Sequence, residues 1–310
     1  MAPRQHKRGP RGRSHLARTE PLAILAGGGT MPIHVAEAAL AQGRPVHIVA
    51  LKGSASEGVA AFPHSWVNIG QVGRMLAAMQ QNDCKDLVII GSVRRPNFAE
   101  LRADWGTVIN LRGLLALRNA GGDNAVLSRI VAFFESKGMH VIGAHEIAPD
   151  LLAPRGPLGR LKPNQQSEVD IEIGRKAVAT LGPLDVGQAV VVARGHIIAV
   201  EAAEGTDAVL ERCKDLKKWS LGRDSPRVGA LVKCVKPGQD RRVDLPSIGP
   251  ETVRRVAEAR LTGIAVAAGD VMIAEREEVI RLANRLGIFV IGITPPASGA
   301  KRRSTKGKRS

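Results

Sequence analysis

Leu22-Ala23-Ile24-Leu25-Ala26-Gly27-Gly28-Gly29-Thr30 is a short apolar run that stops at three glycines. Five consecutive apolar residues suit a strand buried on both faces, and a helical pattern follows from about Pro32 to Ala41. Thr30 is placed as its N-cap and Gly43 as its stop. The same alternation continues. Val46 to Leu51 reads as a second strand, Val72 to Met79 as helix, and Asp86-Leu87-Val88-Ile89-Ile90 as a third strand. Helical segments follow near 110–119 and 124–137, and His140-Val141-Ile142-Gly143 is a fourth strand. Strands alternating with helices indicate βαβ units and a parallel sheet. The expected fold class is therefore α/β, with residues 21–150 forming a Rossmann-like open-sheet domain.

From 148 to 186 the pattern breaks. Pro149, Pro154, Pro157 and Pro163 punctuate a stretch without a long period, so residues 151–186 are expected to be a Pro-rich junction. Beyond it, Ala189–Ala193 and His196–Val200 flank Arg194-Gly195 as a hairpin. Strand-like runs at 228–232, 263–266, 271–274 and 288–293 alternate with helical patterns at 206–217, 250–260 and 276–286. Residues 187–296 are thus expected to be a mixed α/β domain, catalytic in role, with its topology left open.

Composition narrows the class. The chain has 310 residues, 44% of them hydrophobic, but only 3% aromatic and no Tyr, so the core must be aliphatic. The net charge of +16 suggests a polyanion partner until it is located: residues 1–20 carry +5 and 301–310 carry +6, leaving +5 for everything between. Both ends, 1–20 and 297–310, lack apolar periodicity and read as disordered basic tails. Few aromatics are available to stack bases, which disfavours a nucleic-acid partner. The tails suit peripheral contact with an anionic membrane face. Cys84, Cys213 and Cys234 fit no metal-ligand spacing and point to a reducing compartment. No run approaches the ~18 apolar residues of a spanning helix. A cytoplasmic protein is expected.

In an open parallel sheet, ligands bind beyond the carboxyl ends of the strands. Those ends carry Gly27, Gly28 and Gly29, then Gly91-Ser92-Val93-Arg94-Arg95, then Gly143-Ala144-His145-Glu146. A glycine loop before a helix can meet an anion with its amides, or can be only a tight turn. It is not a dinucleotide fingerprint. Pro32 stands where the third glycine belongs, and Leu51-Lys52 supplies no acid after the second strand. No Gly-Lys-Ser/Thr follows either, so a P-loop is absent. Asp123, after two glycines, reads as an N-cap or a metal ligand. Glu201, Glu204, Gly205, Thr206 and Asp207 form an acidic strand-to-helix turn, suited to Mg²⁺ or to a helix dipole alone. Lys233, Lys236, Arg241 and Arg242 mix cations with the carboxylates of Asp240 and Asp244 near the turn Pro246-Ser247-Ile248-Gly249. That mixture suits phosphate chemistry, and equally a salt-bridged surface loop.

In order and spacing, six strings resemble the LpxI-type UDP-2,3-diacylglucosamine pyrophosphatases of lipid A biosynthesis. They are Leu25–Pro32, Gly91–Pro96, Gly143–Glu146, Val200–Asp207, Val243–Gly249 and Gly287–Gly292. The likeness covers about residues 21–295. It implies Mg²⁺-dependent hydrolysis of UDP-2,3-diacylglucosamine to UMP and 2,3-diacylglucosamine 1-phosphate (lipid X), with water attacking the uridine-side phosphorus. It also implies a homodimer and a substrate held between the two domains. The essential aspartate falls on Asp244. Around it, chemistry selects Lys233 and Lys236 as further catalytic candidates. Gly27, Gly28, Gly29, Ser92, Arg94, Gly205, Thr206 and Arg242 are candidate substrate contacts. Asp244, Asp123, Glu204 and Asp207 are candidate metal ligands. The competing readings are a UDP-sugar transferase and a nucleic-acid-binding protein acting through the tails.

Overall fold

All five residues of β1 (Leu22–Ala26) are buried, as a central parallel strand requires. The computed structural model describes residues 20–93, 122–214, 226–236 and 238–295, the side chains of 122–124 apart. After β1 come α1 (Met31–Ala41), β2 (Val46–Leu51), β3 (His64–Val67), α2 (Val72–Gln81), β4 (Asp86–Ile90), α3 (Gly122–Ser136) and β5 (His140–Val141). The strands form one sheet in the order β3-β2-β1-β4-β5, every pair parallel. Alternation along β1 sends Leu22, Ile24 and Ala26 into one apolar cluster with Val35 and Ala39 of α1. Ala23 and Leu25 enter another with Met75 and Met79 of α2 and Phe134 of α3. Helices therefore cover both faces, and strand order reverses between β1 and β4, where an open sheet leaves its crevice.

The crevice is closed down by backbone. The Gly27 amide donates to Ile90 O at 2.9 Å, and the Gly28 amide to Ser92 O at 2.7 Å. A Cβ on Gly27 would stand 2.5 Å from Ser92 O, so only glycine lets the two loops touch. Thr30 is the N-cap of α1 by position, but its hydroxyl makes no cap bond.

A short helix, α4 (Ala144–Ile147), leads the chain into the second unit. Its elements are β6 (Gly156–Pro157), α5 (Gln165–Leu181), β7 (Ala189–Ala193), β8 (His196–Val200), α6 (Gly205–Cys213), β9 (Ala230–Lys233), β10 (Ser247–Ile248), α7 (Pro250–Glu258), β11 (Gly263–Ala267), β12 (Met272–Ile273), α8 (Arg276–Leu286) and β13 (Phe289–Ile293). Six strands run β6-β13-β11-β9-β7-β8. The β9, β11 and β13 strands are mutually parallel, and β6 and β7 are antiparallel to their neighbours. A parallel pair, β10 and β12, stands apart. The α/β class holds, with a parallel sheet first and a mixed sheet second.

Residues 151–186 differ from the expected junction. After Pro163 the Asn164 side chain accepts from Ser167 N at 2.8 Å to start α5, and Pro183 follows that helix. That helix lies on the second sheet, with Gly174 seated against Val232 and Val190. From Ala153 onward the segment belongs to the second core, whereas Leu151 and Leu152 still pack with the first. The expected hairpin is present, and buried Asp170 of α5 accepts both turn amides, Arg194 N at 3.2 Å and Gly195 N at 2.7 Å. The helix expected near 110–119 lies outside the described residues.

Candidate functional site

The two units meet along a seam. Thr30, just past β1, donates its hydroxyl to Glu275 Oε1 at 3.3 Å. Arg276 at the start of α8 donates to the carbonyls of Asp150 and Leu152. Leu245 and Met272 pack into the β1–α1 cluster and Val243 against the α2–α3 cluster. The turn carrying Asp244 is thus wedged against the first domain by the apolar residues on either side of it. Asp244 Oδ2 accepts from Gln239 Nε2 at 2.8 Å, and the Asp244 amide donates to Asp240 O at 2.9 Å.

Around that turn the predicted cations are already engaged. Arg242 holds Asp240 within the turn at 2.7 Å and reaches Glu135 of α3 at 2.7 Å. Asp240 is kept below the usual carboxylate range chiefly by its hydrogen bond from Arg242, and the Arg242 guanidinium is raised by the same bond. Lys236 pairs with Asp185 at 2.6 Å. Arg241 pairs with Asp270.

Lys233 is different. It ends β9, and only 6% of it is exposed. Its ammonium donates to Thr206 Oγ1 at 2.9 Å and to Ser247 O at 3.0 Å. Thr206 in turn donates to Glu201 Oε1 at 2.8 Å, while Glu201 Oε2 accepts from Gln188 N at 3.0 Å. Burial pushes the Lys233 pKa down, against the pull of Glu201 and Asp207. Since β8 runs parallel to β9 through β7, Glu201 and Lys233 both lie at carboxyl ends of strands. A cavity of about 400 Å³ opens there, lined by Glu204, Gly205, Thr206, Asp207, Lys233, Ser247, Gly249, Thr252 and Ala274. Ala274 precedes Glu275, so the cavity borders the seam.

The structure therefore gathers Lys233, Gly205, Thr206, Glu204 and Asp207 into one cavity. Gly27, Gly28 and Ser92 lie together at the crevice of the first sheet, with Gly29 following. Arg94 falls outside the described residues, as does the side chain of Asp123. Among the described residues no three of His, Cys, Asp and Glu gather as a metal cage. Glu204 pairs with Arg212 at 3.4 Å and Asp207 with Arg255 at 3.5 Å. Glu201, part of the acidic turn in the sequence, acts here as the residue that holds Thr206. Its signal is a carboxylate placed just after a strand and five residues before the Thr that it holds.

Fold and site together define a two-domain α/β protein whose polar residues collect at strand ends beside the domain seam. The chain belongs to the LpxI family: the family model for the LpxI N-terminal domain matches residues 21–151, and that for the LpxI C-terminal domain matches 154–291. A relative from Caulobacter vibrioides, UDP-2,3-diacylglucosamine pyrophosphatase LpxI, is 38% identical over 274 residues, covering 88% of this chain and 98% of its own. Among solved structures, a UDP-glucose-4-epimerase from Stenotrophomonas maltophila with bound NAD and formylated UDP-arabinopyranose covers 91% of this chain and 79% of its own. Its identity is 13% and its TM-score 0.28, too low to carry an argument. Among the described residues no helix is long and apolar enough to cross a membrane.

Proposed function

We propose that the chain hydrolyses the pyrophosphate of UDP-2,3-diacylglucosamine, releasing UMP and 2,3-diacylglucosamine 1-phosphate for lipid A synthesis, with water attacking the uridine-side phosphorus. The observation that carries this is the 38% identity to the Caulobacter pyrophosphatase across 98% of that protein. The geometry agrees in kind. Attack on phosphorus concentrates negative charge on its oxygens, and fixed cationic donors in a partly dry cleft offset it.

Mg²⁺ usually keeps waters and takes one or two carboxylates plus substrate phosphates, so the lack of a three-residue cage among the described residues is compatible with it. Asp244 is the carboxylate that would hold the ion, its orientation fixed by Gln239. The ion would supply Lewis-acid stabilisation of the phosphoryl oxygens. Homodimer formation, and contact of the basic ends with an anionic inner-membrane face, complete the proposal.

The test is turnover of UDP-2,3-diacylglucosamine in ¹⁸O water, with Mg²⁺ or with chelator, products weighed by mass spectrometry. Label in UMP, only with metal, is expected. Label in the sugar phosphate would overturn the site of attack, and no turnover would overturn the activity. Asp244→Ala should lower turnover by roughly 10²-fold or more with an unchanged circular dichroism spectrum. Full activity in that variant would remove Asp244 from the chemistry.

A further inference from the structure

Hydrolysis of a pyrophosphate needs a place for phosphoryl oxygens, and the first glycine loop is poorly equipped to provide it. The amides of Gly27 and Gly28 are spent on Ile90 O at the end of β4 and on Ser92 O in the loop after it. The second domain offers a better place. Lys233 is a buried cation whose hydrogen-bond partners, Thr206 Oγ1 and Ser247 O, are both neutral. Among the described residues no carboxylate forms an ion pair with it. An ammonium has three donors, and these partners take two. A buried cation without a direct counter-ion carries a large desolvation penalty that an incoming anion would relieve. The cavity beside it is bounded by the opening turns of two helices, Gly205 to Asp207 of α6 and Gly249 to Thr252 at α7. The acids on that rim, Glu204 and Asp207, are partnered by Arg212 and Arg255.

We propose that this cavity is an oxyanion subsite, in which Lys233 donates to a phosphoryl oxygen and the first turns of α6 and α7 add amide donors. Its ligand class is a phosphate monoester, the phosphoryl group of a nucleotide or of a sugar 1-phosphate. The choice of class rests on the reading under Proposed function, whereas the subsite itself rests on Lys233 and the cavity.

Calorimetric titration of the full chain with UMP and with glucose 1-phosphate, at fixed ionic strength, tests it. Wild type should bind at least one probe, and Lys233→Met should weaken that binding by roughly tenfold or more. Loss for UMP alone would assign the uridine-side phosphoryl group to the cavity. Loss for glucose 1-phosphate alone would assign the sugar-side one. Thr252→Glu is the second variant. Thr252 stands at the third helical position and its hydroxyl accepts from Gly249 N at 3.3 Å. A glutamate there preserves the cap and puts a carboxylate into the cavity, so it too should weaken binding by roughly tenfold or more. Should Lys233→Met not fold, Thr252→Glu decides alone. Wild type binding neither probe, or folded variants binding as wild type does, would overturn the subsite. Lys233-dependent binding without turnover would remove the activity and keep the subsite. Undiminished turnover in both variants would keep the activity and remove the subsite.

Discussion

Cys84, Cys213 and Cys234 sit 5%, 0% and 0% exposed, and burial pushes their thiols up to about 11, 11 and 12. The thiolate is the reactive species, so at neutral pH these groups should be inert. Titration with a thiol-specific chromophore should register none of the three in the native protein and all three in denaturant. A native cysteine that reacts within minutes would mean that one of the two cores opens locally. The site shows the same tie between burial and chemistry. Lys233 was legible as a candidate from its charge pattern. Its tie to Thr206 was not, because it depends on β8 and β9 being placed two strands apart in one sheet with β7 between them, nor was its tie to Ser247, which sits on β10 outside that sheet. Spacing in sequence carries no signal for that. Arg242 was legible as a cation, but its capture by Asp240 and by Glu135, 107 positions away, was not.

At the level of elements, the first sheet was readable because β1 and β2 are continuous buried runs and β4 is nearly so, with a helix between β1 and β2 and another before β4. The edge strand β3, His64-Ser65-Trp66-Val67, is only partly buried and carries no such run. The second sheet was less readable. Strand β6 in that sheet and β10 in the separate pair are two residues each, too short for any period to declare itself, whereas β12, also two residues, shows in the run 271–274. The glycines after β1 mark where elements make contact. Gly27→Ala would set a methyl 2.5 Å from Ser92 O and 2.8 Å from the backbone of Gly91, and backbone cannot rotate aside as a side chain does. Overpacking of this kind costs about 1–3 kcal/mol. Urea unfolding should show that loss for Gly27→Ala, with turnover falling alongside as the β1–β4 crevice is forced apart. An alanine variant of unchanged stability would mean that the two loops separate freely, and the glycine run would then need a reason in ligand contact.

Over the whole molecule, the seam joins two cores through a few apolar side chains and a few polar ties, and Arg242 is the tie nearest the Asp244 turn. One end of its guanidinium braces the turn through Asp240 and the other reaches Glu135 on α3 of the first domain. Arg242 and Glu135 are 36% and 41% exposed, so solvent screens the pair and its coupling should be small, about 0.2–1 kcal/mol. A double-mutant cycle with Arg242→Ala and Glu135→Ala, read by chemical unfolding, should return a value in that range and lose it at high salt. Turnover should separate the two roles of the arginine. Glu135→Ala removes only the bridge, so its loss in kcat/KM should match the small coupling. Arg242→Ala also releases Asp240 and loosens the turn that holds Asp244, so its loss should be larger and appear in kcat. If Arg242→Ala instead raised KM alone, with kcat intact, the guanidinium would be a substrate ligand in the working enzyme. Its pairing with Glu135 would then have to break for the substrate to bind.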